Sequence, residues 1–267
     1  DEVYDLYCLF GDSRALEVAR NAAAVGGAYV ATRKVGIGRD TGWCFRTLLR
    51  YRDLTGSDEC ADYVKKAVDN FWEVARANRS VPRIKYDNDW FYNVFSRSVV
   101  LAYNVTGDER MRDLVIGLAQ GRTDAKGKFP VQSAFAWDQT GDEKYLAQTP
   151  EKYAKLGEGG YDDYLPCCNA WLWMKPRPDK AAPAAIADLA AESTAAGELK
   201  LTWTAPGDDA ADGTAAVYQV KWSDIPIVEL AKGGGECSFW AAENVAGEPA
   251  PKKAGAKEEF VVKGLKA

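Results

Sequence analysis

Four stretches of this 267-residue chain hold most of its Gly-flanked Asp, Tyr, Trp, Lys and Arg residues: KVGIGRDTGW (34–43), RIKYDNDWFYN (83–93), DAKGKFP (124–130) and GEGGYDDYLP (157–166). Their side chains offer three kinds of chemistry. Two carboxylates, Asp40 with Asp89 or Asp162, can divide the roles of acid and base. A phenol from Tyr86, Tyr92, Tyr161 or Tyr164 can take a proton while Arg39, Lys85 or Lys128 offsets negative charge. The rings of Trp43, Trp90, Tyr92 and Tyr161 can stack on a flat ligand. The chain has no histidine, which excludes Ser-His-Asp and Cys-His nucleophiles, His-ligated metals and His bases.

Each of these residues also has a purely structural role open to it. Trp43 and Trp90 can be first-turn core residues, Asp40 and Asp89 ordinary helix N-caps, and Asp162 and Asp163 solvated loop residues. Taken together the four stretches say more than any one residue, provided that the fold brings them to one place.

The elements that would do so are helical. DTGWCFRTLLRYRDL spaces Trp43, Leu48, Leu49 and Leu54 as a helix does, and DWFYNVFSRSVVLAYNV does the same with Phe91, Val94, Phe95, Val99 and Tyr103. Each leads into a corner, YRDLTGSDE (51–59) or YNVTGDER (103–110), and then into a more charged helix that should face water. AWDQTGDEK (136–144) and, more weakly, YCLFGDSRAL (7–16) repeat the corner, with glycines 11, 56, 107 and 141 at intervals of 45, 51 and 34 residues. In this motif the glycine closes one helix in the left-handed conformation, and Asp58, Asp108 or Asp142 caps the next. Repeated hairpins of this kind run their inner helices in one direction, so the corners gather at one end and the four chemistry-bearing stretches at the other.

From about residue 186 the pattern changes to alternation. Leu199, Leu201 and Trp203, then Val217 or Tyr218, Val220 and Trp222, read as strands separated by the turn-rich APGDDAADGT. PGDDAADG lacks the alternating Asp spacing of a calcium loop and reads as a polar turn. MKPRPDKAAPAA (174–185) is a proline-rich linker. The reading is therefore multidomain α plus β: residues 1–175 helical, 176–185 linker and 186–267 a β-sandwich.

The charge of -5 and pI near 5.1 argue against a nucleic-acid partner. No apolar run is long enough to span a bilayer, and DEVYDLYCLF has no signal-peptide character. Six cysteines without CxxC spacing give no sulfur metal site. Cys8, Cys44 and Cys60 are expected as small buried residues. No metal and no cofactor are expected.

The segments GRDTGWCFRTLLRYRDLTGSDECADYV, NDWFYNVFSRSVVLAYNVTGDERM and AWDQTGDEKYL resemble the α/α-toroid domains of polysaccharide lyases and related glycoside hydrolases, in particular the C-terminal toroid of exo-rhamnogalacturonan-lyase-like proteins. Pro-x-x-Ile-x-Asp-Leu, Leu-x-Trp-x-Ala-Pro-Gly-Asp-Asp, Tyr-x-Val-x-Trp-Ser and EEFVVKGLKA resemble a fibronectin type III domain of bacterial secreted enzymes. These resemblances imply a helical-hairpin (α/α) toroid followed by an incomplete fibronectin type III-like sandwich. They also imply a secreted, periplasmic or cell-surface location and an acidic polysaccharide or oligosaccharide as partner. The chain is then expected to be a piece of a longer polypeptide, completed by N-terminal and C-terminal portions or by another subunit.

In that setting Asp40, Asp89, Tyr92 and Tyr161 are the expected catalytic residues, as the base of a β-elimination or the acid and base of a hydrolysis. Arg39, Trp43, Lys85, Trp90, Lys128, Asp162 and Tyr164 are the expected substrate-binding residues. A non-catalytic extracellular protein that binds glycan, or a structural one at the cell surface, is the alternative.

Overall fold

Four helices end on a glycine with positive φ: Gly11 (65°), Gly56 (63°), Gly107 (68°) and Gly141 (70°). In each, the glycine N–H donates to the carbonyl four residues earlier, on Tyr7, Arg52, Tyr103 and Trp137. In three corners the preceding threonine works in both directions. Thr55, Thr106 and Thr140 each donate a hydroxyl to the carbonyl one turn back and accept the N–H of the second residue on, at 3.1–3.2 Å. The residue after the glycine then starts the next element: Asp12, Asp108 and Asp142 accept the N–H groups of Arg14, Arg110 and Lys144. In the second corner this acceptor is Ser57, which takes the N–H of Glu59. Asp58 instead pairs with Arg52 at 3.4 Å.

Asp108 lies half-buried between Arg110, which also reaches Asp69, and its own capping bond. Burial pushes its pKa up, but the Arg110 side chain and N–H outweigh that and hold the carboxyl below its ordinary range. A carboxyl depressed in the folded state stabilises above its unfolded pKa, and that contribution is lost as pH falls through the folded value. Asp108→Asn keeps the capping acceptor but loses the ion pair, and should therefore cost up to about 1 kcal/mol near neutral pH and flatten the fall in stability below about pH 4. Denaturant titrations of both proteins from pH 7 to pH 2 check this; parallel curves would reject it.

The computed structural model describes residues 2–32, 38–77, 89–120, 130–145, 181–231 and 234–265. Helices are α1 (Glu2–Phe10), α2 (Ser13–Thr32), α3 (Arg39–Thr55), α4 (Ala61–Ala77), α5 (Asp89–Thr106), α6 (Glu109–Gln120) and α7 (Pro130–Thr140). They form two rows: α1, α3, α5 and α7 pack successively on one another, as do α2, α4 and α6. Between the rows, α4 presents a helical stripe of Val64, Ala67, Val68, Phe71, Trp72 and Ala75. Phe71 meets Phe45 and Phe95 edge-on or tilted, with ring centroids 5.2 and 5.0 Å apart. No described helix is long and apolar enough to cross a membrane.

Small residues let neighbouring helices close up. On α2, Ala15, Ala19, Ala23, Gly26 and Gly27 form the buried side. On α3, Gly42 sits so near α5 that a Cβ there would lie 2.9 Å from Phe95 Cα. Beside it, the buried Ser98 hydroxyl donates to the Gly42 carbonyl at 2.7 Å. One step along the row, the buried Gln132 of α7 donates to Ser96 of α5 at 2.8 Å. These contacts join the N-terminal halves of α3, α5 and α7, so all three helices start at one end and reach their glycine corners at the other.

The expectation that the second helix of each hairpin faces water fails at α6. Met111 and every residue from Asp113 to Gln120 are buried. Part of the reason lies far along the chain, beyond its packing on α4, α5 and α7. The structure divides into a helical unit, Asp1–Lys175 with Ile225–Ala242, and a sheet unit, Pro176–Asp224 with Glu243–Ala267. The sequence reading placed 225–242 among the sandwich residues, but a 3-10 turn at Phe239–Ala241 packs on α6, and Trp240 joins the helical core. The cysteines also differ in part: Cys60 is buried and Cys44 half-buried, as their apolar surroundings suggest, but Cys8 is exposed. Cys8, Cys44, Cys60 and Cys237 are all free thiols.

The sheet unit contains a three-stranded antiparallel sheet in the order β1 (Ala190–Ala195), β2 (Glu198–Thr204) and β7 (Lys257–Lys263). Leu201 lies opposite Phe260 in the β2–β7 register. β3 (Lys221–Trp222) pairs antiparallel with β6 (Glu243–Asn244). Short β4 (Ile227–Val228) and β5 (Cys237–Ser238) pair in parallel within the helical unit. Trp203 meets Tyr218 edge-on at 5.1 Å, against Leu201 and Phe260. Below them the buried Glu258 accepts the Lys252 N–H at 2.7 Å and the Tyr218 hydroxyl at 3.3 Å. Asp208, in the acidic turn, accepts the N–H of Thr214 at 3.0 Å. The protein is thus mixed: helices plus small, mainly antiparallel sheets.

Candidate functional site

The start of α3 gathers the first group of expected site residues. Gly38 is the N-cap, and Thr41, three residues on, closes the turn by accepting the Gly38 N–H at 3.1 Å and donating to its carbonyl at 2.9 Å. Asp40 is therefore not the cap. It lies in the first turn, where a carboxylate is favoured by the exposed N–H groups of the helix end, and accepts Arg39 Nε at 3.2 Å. Trp43 is 49% exposed rather than a core residue, and the Arg39 guanidinium carbon lies 5.6 Å from its ring centre. Arg39, Asp40 and Trp43 thus form one accessible group.

Further along the same helix lie residues that the sequence reading did not select. Counting from Arg39 as i, Trp43, Arg46 and Arg50 stand at i+4, i+7 and i+11, on one flank of α3. From Arg39 to Arg50 that flank runs about 16 Å. Arg50 reaches Asp53 at 3.7 Å, and its Nε is buried without a hydrogen-bond acceptor. Arg97 belongs to α5, next in sequence to Ser98, which fixes the α3–α5 contact at Gly42. Burial lowers the Arg46 pKa, and the neighbouring Arg50 charge lowers it further. At Arg97, whose surface stays accessible, the surrounding protein and then the Arg46 charge disfavour a further positive charge.

Arg46 thus stands near a like charge on either side, Arg50 on its own helix and Arg97 on α5, in a chain whose net charge is -5. The planar forks of Arg suit carboxylate and sulfate groups. The signal was available in the spacing of RDTGWCFRTLLR, but it lies inside helices rather than in the loops where the four chemistry-bearing stretches are found.

The remaining expected residues divide into two sets. Asp89, Trp90 and Tyr92 occupy the first turn of α5, of which only the backbone is described. The Gly42–Phe95 approach places that turn at the same end as Arg39–Trp43. Lys85, Lys128, Tyr161, Asp162 and Tyr164, with Tyr86, lie outside the described residues. Among the described residues no group of three His, Cys, Asp or Glu side chains could hold a metal ion. No family model, curated protein or solved structure matches the chain.

Proposed function

We propose that the chain binds an acidic polysaccharide along the α3–α5 flank, as part of a secreted enzyme that degrades it. The observation that carries this reading is the row of Arg39, Trp43, Arg46 and Arg50 on one side of α3 with Arg97 beside it. Trp43 offers an open ring to a sugar face, and the arginines offer charge to uronate carboxylates.

Of the two reactions, the arginines favour β-elimination. A guanidinium on the uronate carboxylate makes the adjacent C–H more acidic. A base removes that proton, its electron pair becomes the new C=C bond as the glycosidic C–O bond breaks, and the leaving oxygen takes up a proton. Tyr92 and Tyr161 are the proposed bases. A hydrolase built on Asp40 and Asp89 fits less well, because Asp40 stands in open solvent beside Arg39 and a general acid is better served by apolar enclosure. The two helical rows support a toroid, and the antiparallel strand order β1-β2-β7, with the separate β3-β6 pair, supports a fibronectin type III sandwich.

Trp43→Ala and Arg97→Gln should each weaken binding of oligogalacturonate or rhamnogalacturonan fragments about tenfold or more, the scale of one lost stacking or charged contact. The arginine effect should shrink as salt is raised. Titration calorimetry reads the affinity, and ultraviolet absorbance of the unsaturated uronate reads elimination. Binding without turnover leaves the chain as a glycan-binding protein. Equal or better binding of neutral glycans overturns the assignment.

A further inference from the structure

α6 buries nearly all of its residues, where α4, its neighbour in the same row, keeps Asp62, Lys65, Lys66 and Glu73 exposed. LVIGLA (114–119) is buried on every side, which a surface helix cannot sustain without a cover. α4, α5 and α7 supply part of that cover, and residues 225–242, whose neighbours on both sides in sequence belong to the sheet unit, supply another part. This segment is knit together in its own right. β4 and β5 pair in parallel, the Cys237 N–H donates to the Pro226 carbonyl at 2.8 Å, and the Ala231 N–H donates to Ser238 Oγ at 2.9 Å. Cys237, Ala241 and Ala242 pack with Ile225 into a small core.

Two further contacts fix it to the helices. Its 3-10 turn lies on α6 with Trp240 against the helical core. Glu229 accepts the Gln120 side-chain amide at 3.3 Å, at the end of α6, and pairs with Lys144 at 3.0 Å, just past the fourth glycine corner. Lys144 also pairs with Asp142 of that corner at 2.8 Å. Lys144 and Gln120 together hold the Glu229 carboxyl below its ordinary range.

We infer that α6 is a docking surface whose ligand is residues 225–242, so that this segment is a clasp without which the helical unit does not hold its native packing. The helical unit is then not autonomous within 1–175. The chain passes between the units after Lys175, after Asp224 and after Ala242, and loss of the clasp opens the helical unit at α6 while its other hairpins stay formed. The inference stands whatever ligand the α3–α5 flank takes.

β3 and β6 supply a clean test, because Trp222 already lies opposite Glu243. Deleting 225–242 leaves Ser223 and Asp224 as a two-residue hairpin loop, and Ser223→Asn with Asp224→Gly suits that turn. In the shortened chain the helical melting transition should fall by roughly 10 °C, with faster hydrogen exchange at Leu114–Ala119 and little change at α2–α4. A synthetic 225–242 peptide in excess should restore part of the loss by mass action. In the full chain, Trp240→Ala should reproduce the α6 exchange signature with a smaller fall, and Glu229→Gln a slighter one still. An unchanged melting temperature in the shortened chain, or Trp240→Ala without faster exchange at α6, overturns the inference.

Discussion

Phe71→Ala is expected to destabilise the helical unit by about 3–5 kcal/mol, the range for an aromatic side chain removed from a closed core. Phe71 is 0% exposed, as are Phe45 and Phe95 on either side of it. It projects from α4 in one row onto α3 and α5 in the other, so its ring is a tie between the two rows. Its edge contacts, with ring centroids 5.2 and 5.0 Å away, are the arrangement in which aromatic pairs add to simple burial. Urea denaturation followed by far-ultraviolet circular dichroism measures the loss, and a shift of midpoint without change of slope identifies it as native-state destabilisation. Phe71→Leu keeps much of the volume and should cost well under half as much. A loss below about 1 kcal/mol for the alanine variant would mean that the rows are held together elsewhere.

The glycine corners were legible because their chemistry is local. Four positive-φ glycines, three threonines and the acidic residue after the glycine act within a few residues of one another. At the second corner the acceptor is one position earlier than the Asp pattern suggests, since Ser57 and not Asp58 follows the glycine directly. Helices α3, α4 and α5 and strand β2 were legible from periodicity for the same reason, whereas β7 rested on the resemblance of EEFVVKGLKA alone. What could not be read was long-range. The cover on α6 comes from a segment more than a hundred residues away, and a run such as LVIGLA says only that something must cover it. Of the site, the Arg39–Asp40–Trp43 group was found through its residue types. Arg46, Arg50 and Arg97 were not, because arginines inside a helix ordinarily serve as solvated residues, and only the packing of α5 on α3 turns them into a cluster.

That packing depends on one position, and Gly42→Ala is the substitution that tests it. Considered as a helix alone, the change should help by about 1 kcal/mol, since glycine is the poorer helix former. Considered as packing, it places a Cβ 2.9 Å from Phe95 Cα, 3.0 Å from Phe95 N and 3.1 Å from the Val94 carbonyl carbon. All three are backbone atoms, so no side chain can swing aside. Overpacking of this kind costs typically 1–3 kcal/mol, and the Ser98 bond to the Gly42 carbonyl is strained as the helices part. The packing effect should win, leaving a net loss of about 1–2 kcal/mol. Gly38, four residues earlier, is the control: a Cβ there meets nothing within 4 Å, and Gly38→Ser supplies a capping hydroxyl and should be neutral or slightly stabilising. The functional consequence follows from the same geometry. Gly42 sets the separation of α3 and α5 and with it the spacing of Arg46 and Arg97, so Gly42→Ala should weaken acidic-glycan binding under conditions where the protein stays folded, while Gly38→Ser leaves it unchanged. Full affinity in a destabilised Gly42→Ala protein would mean that the two arginines do not act on one ligand.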